Sequence, residues 1–172
     1  MIESSMADEL LDLVNNKDEV IGEVWISEAN TNPKLIHREV AIIVYDTKNR
    51  VLFQKRSHLK RLHPGLWTTT AAGHVGKGED PLESAHRELI EEVGFDTKLK
   101  FFDKTLAHLP NETHFTYWYT GKFPTGAKIV LQEREVEDTK FMSAEELKKF
   151  SEPMGQHSKN MINKFWHKRS LD

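Results

Sequence analysis

Glu88, Glu91 and Glu92 stand at positions i, i+3 and i+4 within GHVGKGEDPLESAHRELIEEVGF, residues 73–95. On an α-helix those positions fall within about a third of the circumference, so three carboxylates converge on one patch. Like charges at this spacing destabilise a helix by about a few tenths of a kcal/mol per pair in solvent, and by more in a cleft. A bound divalent cation would relieve them, whereas a solvated acidic face is the plain alternative for three glutamates taken alone.

The neighbouring residues say how such a patch would be held. Asp80 is a suitable N-cap, Pro81 suits the first helical position, and Glu83 follows Asp80 at capping-box spacing. These signals predict a helix over residues 81–93, ended by Gly94 in the left-handed conformation. Leu82, Ala85, Leu89 and Val93 form an apolar stripe away from the glutamates, so the helix can dock while presenting acid to a cleft.

Gly73, five residues, Glu79, seven residues, Arg87-Glu88-Leu89, one residue, Glu91-Glu92, one residue and Gly94-Phe95 follow one another in that order. This stretch resembles the nudix box at every constrained position. The resemblance implies an α+β fold, the nudix α/β/α sandwich with a mixed β-sheet, and hydrolysis of a diphosphate bond in a nucleoside diphosphate derivative or related small diphosphate. It further implies that Glu88 and Glu92, with Glu91 assisting, bind Mg²⁺ or Mn²⁺. The Gly73 carbonyl would join that shell, and Arg87 would orient the cluster with help from Glu79. The general base differs among such enzymes. Glu91 is one candidate, and Glu135 in the late loop QEREVED is another, chosen over Glu133 and Glu137 for its place before Val136. A merely solvated acidic loop is the alternative for that segment.

A second resemblance flanks the box. His37-Arg38 before a strand, Lys55-Arg56, Lys60, Pro64-Gly65-Leu66-Trp67-Thr68 and Gly73-His74 look like isopentenyl-diphosphate isomerase, which shares the fold. The likeness implies that Arg56 and Lys60 grip a diphosphate and that His37 and His74 bind a second metal. The isomerase needs a cysteine just before the Gly-His pair, and this chain has Ala72 there and no cysteine at all. Alanine has no transferable proton. His37 and His74 therefore keep two readings, metal ligands or hydrogen-bonded strand and loop histidines. Lys55, Arg56, Lys60, Arg61 and His63 also concentrate positive charge near the acidic helix, as phosphoryl oxygens require.

Three classes of function follow: a metal-dependent diphosphohydrolase, an isomerase-like enzyme, and a non-catalytic nudix module that binds a nucleotide or protein. The missing cysteine weighs against the second. The complete glutamate set weighs against the third, which has no need of it.

The 172 residues suit one domain, 1–172, with a core able to bury most of its apolar surface. With 24 basic against 27 acidic side chains, a net charge of −3 argues against a partner that is bulk nucleic acid. No apolar run is long enough for a membrane span, and the acidic start MIESSMADELLDLV lacks the pattern of a signal peptide. A cytoplasmic location is expected, with a small diphosphate as the partner.

Residues 10–28 predict a β-hairpin, LLDLV and EVIGEVWIS, turning at Asn15-Asn16-Lys17-Asp18; it could pair two copies in a homodimer. Strands are expected at residues 38–45, 51–56 as its antiparallel partner, 67–75, 99–109 and 114–123, and as KIVL and TKFM within 128–142. Ser143 and Glu146 predict a capping box, and Met161, Ile162, Phe165 and Trp166 a C-terminal helix over 157–168 that docks on the core. Trp67, Phe115, Tyr117 and Trp118 could stack a base or fill the core, and core is favoured for most of them.

Overall fold

A computed structural model describes residues 8–171; the MIESSMA part of the acidic start lies outside the described residues. The order is β1 (Leu10–Val14), β2 (Val20–Trp25), α1 (Ile26–Ala29), β3 (Ile36–Tyr45), β4 (Val51–Arg56), β5 (Trp67–Thr68), β6 (Ala71–His74), α2 (Pro81–Val93), β7 (Leu99–His108), β8 (Thr113–Lys122), β9 (Val136–Met142), α3 (Ala144–Lys149) and α4 (Gln156–Arg169). β3 is the axis of a mixed sheet. It pairs in parallel with β8 from Ile36↔Thr113 to Tyr45↔Lys122, and antiparallel with β6.

Why β3 is apolar without a break from Val40 to Val44 follows from its two covered faces there. Val40, Ile42 and Val44 join Ala85, Leu89 and Val93 of α2 in one core layer. Ala41 and Ile43 join Trp118, Met161, Ile162, Phe165 and Trp166 in the other, beneath α4. The result is the helix/sheet/helix sandwich with a mixed sheet expected from the box. Trp67, Phe115 and Trp118 are buried, as expected of core aromatics.

Several expectations change in detail. The second hairpin strand ends at Trp25, and residues 26–29 make a helical turn, because Asp8 accepts from Ser27 N (3.1 Å) and pairing with β1 runs out at Leu10↔Trp25. β4 meets β3 only at Tyr45↔Val51 and then pairs along its length with β9. Thr70 bridges the divergence, its hydroxyl donating to Leu52 O (2.6 Å) and accepting from Val44 N (2.9 Å). That break splits 67–75 into β5 on β4 and β6 on β3.

KIVL is not a strand. Val130 N donates to Val93 O (3.0 Å) and Gln132 N to Glu92 O (3.2 Å), so the segment satisfies carbonyls that the C-terminus of α2 leaves free. The C-terminal helix and the Ser143/Glu146 capping box form as expected. β2 is an edge strand with Val20 and Ile21 exposed, and the hairpin turn is tied back by Asp18, which accepts from Arg38 Nε (2.6 Å), Lys104 (3.0 Å) and the Tyr117 hydroxyl. Among the described residues, no helix is long and apolar enough to cross a membrane.

Candidate active site

α2 is built as its local signals require. Asp80 accepts from Leu82 N (2.8 Å) and Glu83 N (3.4 Å), and Gly94 closes the helix at φ 78°. Glu83 returns no bond to the cap, so only the Asp80 half of the box is present. Ala85, Leu89 and Val93 are buried, while Leu82 is exposed and Ser84 takes the buried place in the first turn. Beside this stripe rather than opposite it, Glu88 and Glu92 turn inward. Glu91 stays 57% exposed at its side chain, which leaves it at the mouth of the cleft.

Gly73 is the gap through which Glu88 passes. A Cβ at this position would lie 2.1 Å from Glu88 Cδ, so any side chain would displace the carboxylate. Glu92 is buried, and its Oε2 accepts from Gln54 Nε2 (2.6 Å) and Ala72 N (3.1 Å). Arg87 bonds Glu79 through Nε and Nη2 (both 3.0 Å), Glu88 through Nη1 (2.6 Å) and the His74 carbonyl (3.1 Å), with Glu91 at 3.5 Å. This fork fixes the helix against the loop after β6.

Electrostatics separate these acids. The Arg87 bonds pull the Glu79 carboxyl down to about 2. Burial pushes Glu88 up to about 7 despite Arg87. Burial, then the charge of Glu88, pushes Glu92 up to about 8. Two carboxyls that resist ionisation side by side, with a glycine cradle beside them, fit a divalent cation, whose charge would compensate both.

A second group lies on the same cleft. In strand alternation His37, Glu39 and Ala41 share one face of β3, and the registers His37↔His114, Glu39↔Thr116 and Glu39↔His74 bring their partners onto it. Ligand atoms of His37, Glu39, Glu112 and His114 all lie within 4.8 Å of one another. His74 Nε2 stands 3.4 Å from Glu39, and His114 Nε2 3.3 Å. His37 is fully buried with neither ring nitrogen hydrogen-bonded, and His114 Nδ1 and the Thr116 hydroxyl are likewise unpartnered. His37 is thus not a satisfied core histidine, since buried polar atoms almost always find partners. Burial works to raise Glu39, but the surrounding histidines more than reverse this and hold it well below the usual carboxylate range.

Glu88 and Glu92 of the first group and Glu39, His74, Glu112 and His114 of the second line one cleft of about 670 Å³, together with Arg56, Lys60, Glu91 and Glu135, and His37 lies fully buried. Lys60 and Glu135 are ion-paired there. Arg56 uses Nε and Nη2 on the Leu62 carbonyl (3.2 and 2.9 Å). Lys55 does not join them; strand alternation turns Gln54 toward Glu92 and Lys55 toward Glu137 (3.7 Å) and Glu152 (3.5 Å). Gln54, Glu39, Glu112 and His114 join the site without belonging to either sequence motif. A trace of the last three exists in the period-2 patterns His37-x-Glu39 and Glu112-x-His114, which gain meaning only once β3 and β8 are known to be neighbours.

The NUDIX domain family matches residues 35–165. Among curated relatives, isopentenyl-diphosphate Δ-isomerase 2 of Photorhabdus laumondii is 37% identical over 142 residues, covering 79% of this chain and 78% of that protein. An uncharacterized nudix hydrolase of Listeria monocytogenes is 31% identical over 136 residues, covering 79% and 80%. Of solved structures, DR0079 from Deinococcus radiodurans superposes with a TM-score of 0.76 at 20% identity, over 91% of this chain and 98% of that one. A Caenorhabditis elegans Ap4A hydrolase binary complex gives 0.62 at 18% identity, over 78% and 98%. With the box intact on a capped helix and the family matching most of the chain, the protein belongs to the nudix family.

Proposed function

We propose that this chain is a cytoplasmic Mg²⁺-dependent diphosphohydrolase, acting on a nucleoside diphosphate derivative or related small diphosphate. The observation that carries this is the pair Glu88 and Glu92, the first largely and the second fully buried beside Gly73, with carboxyls held above their ordinary range. Mg²⁺, or Mn²⁺ in its place, held by Glu88, Glu92, the Gly73 carbonyl and an auxiliary Glu91, would supply charge to the phosphoryl oxygens and lower the pKa of an attacking water. Arg87 orients Glu88 and Glu91. Arg56 and Lys60 face the diphosphate oxygens, and Glu91 or Glu135 takes the proton as the water oxygen bonds to phosphorus and the bridging P–O bond breaks.

A broad product-identified screen tests this: nucleoside di- and triphosphates, sugar nucleotides, dinucleotides and prenyl diphosphates with Mg²⁺ or Mn²⁺. Release of phosphate or a monophosphate from at least one class is expected, and silence across the panel would overturn the proposal. The isomerase alternative is favoured by the name of the Photorhabdus relative. Against it stands Ala72, whose position on the cleft offers a methyl group and no proton. Isopentenyl diphosphate is accordingly expected to give no allylic isomer and no deuterium uptake in D₂O.

The unpartnered nitrogens of His37 support a second metal at His37 and His74, joined by Glu39, Glu112 and His114. Imidazole ligation suits zinc better than magnesium. Elemental analysis of desalted protein is expected to find about one equivalent of such a metal, and His37→Ala to lose it; equal content in both would sink the assignment.

A further inference from the structure

Two of the groups proposed for catalysis, Lys60 and Glu135, form an ion pair in the cleft, and the way they are mounted gives that pairing a role. Lys60 sits in the loop 57–66 between β4 and β5, and Glu135 immediately precedes β9. Their backbones are clamped. Ser57 N donates to Glu135 O (2.9 Å), Arg56 pairs with Val136, and Gly65 N returns to Arg56 O (3.0 Å). Arg56 is committed to this clamp through its two bonds to the Leu62 carbonyl. Arg87 is likewise held, by Glu79 and the His74 carbonyl, so among the Lys and Arg side chains lining the cleft Lys60 is the one whose head can move without loosening its surroundings, on a flexible four-carbon stem. Its partner is the Glu135 carboxylate, and both side chains are mostly buried, at 23% and 19% exposure.

Resting on the diphosphohydrolase reading, we infer that Lys60 is a substrate-removable guard on Glu135: the diphosphate that draws Lys60 away uncovers the carboxylate beside the metal platform. The charge balance favours this exchange. A diphosphate carries more negative charge than one carboxylate and accepts from the same ammonium. Glu135 lines the same cleft as Glu88, Glu91 and Glu92. Once uncovered, it faces a cleft that now holds substrate. Lys60 thus acts twice, as a phosphate contact and as the group that positions the availability of Glu135.

A double-mutant cycle on the full chain tests the guard, read as calorimetric binding of methylenediphosphonate with Mg²⁺. If Lys60 must leave Glu135 to bind, Glu135→Gln is expected to tighten binding about fivefold to tenfold, and Lys60→Met to weaken it by a similar factor. Adding Glu135→Gln to Lys60→Met is then expected to change nothing, while Lys60→Arg restores the dependence on Glu135. Tightening of equal size in both backgrounds would mean plain charge repulsion, and weakening in both would mean that Glu135 helps hold the metal; either overturns the guard. Those failures leave substrate hydrolysis intact. A wild-type protein that neither binds the diphosphonate nor cleaves any diphosphate overturns both proposals together. Melting curves of each variant show that the comparison is between folded proteins.

Discussion

Glu92→Gln is expected to lower turnover by about a thousandfold or more, a loss of about 4 kcal/mol of transition-state stabilisation, with the fold retained. The geometry explains why the two effects separate. Both hydrogen bonds to Glu92, from Gln54 Nε2 and Ala72 N, reach the same oxygen, Oε2. A glutamine amide oxygen in that place accepts both, and its amide nitrogen occupies the position of Oε1. The buried contacts survive, but the charge offered to a cation does not. Steady-state kinetics on a substrate from the screen, beside circular dichroism, reads both quantities. Near-normal turnover in the variant would refute the assignment of Glu92 as a metal ligand.

The second large effect is on stability, and its sign follows from the same burial. In the unfolded chain Glu88 and Glu92 lose their protons near the ordinary value of 4.5, whereas in the folded protein they hold them to about 7 and about 8. Between those limits the native state binds more protons than the unfolded state, so the stability of the metal-free protein falls as pH rises. His74, raised chiefly through its bond to Glu39 against the opposing effect of burial, acts in the same direction: its contribution is complete below 6.5 and lost as pH climbs through its folded value. Glu79 has the opposite shift, to about 2, and its contribution disappears only in acid, below the ordinary carboxylate range.

Shifts of this size on two coupled buried groups correspond to a few kcal/mol in order of magnitude, or roughly ten degrees in Tm for a chain of this length. In EDTA, Tm is expected to fall from about pH 5.5 to about pH 8.5, and Mg²⁺ to restore it at the upper end. Glu92→Gln removes much of the slope and raises the metal-free Tm at alkaline pH. A flat profile in EDTA, unchanged by Mg²⁺, would show that the two carboxyls do not strain the empty site.

How far the site could be read in advance varies with the range of the interactions that make it. The helix from Pro81 to Val93 was legible to the residue, because Asp80, Pro81 and Gly94 act on backbone groups within one turn of themselves. The inward pairing of Glu88 and Glu92 follows from the same 3.6-residue period. KIVL shows the opposite case: its β-branched residues favour a strand, yet bonds from Val130 N to the Val93 carbonyl and from the adjoining Gln132 N to the Glu92 carbonyl hold the segment against the helix end. Leu82, apolar and correctly spaced, stays exposed, while Ser84 takes the buried place at that end of α2.

By itself the sequence determined the family, the capped glutamate helix and the absence of the cysteine that carbon–hydrogen chemistry in the isomerase requires, since all three are matters of residue type and short spacing. Only the tertiary structure decided that the parallel pairing of β3 with β8 joins His37 and Glu39 to Glu112 and His114. It likewise decided that Lys60 covers Glu135, 75 positions away. The physical reason is common to both. Strand pairing and loop closure are selected by the burial of whole faces, so the partner of a given side chain depends on the packing of the entire sheet rather than on its neighbours in the chain.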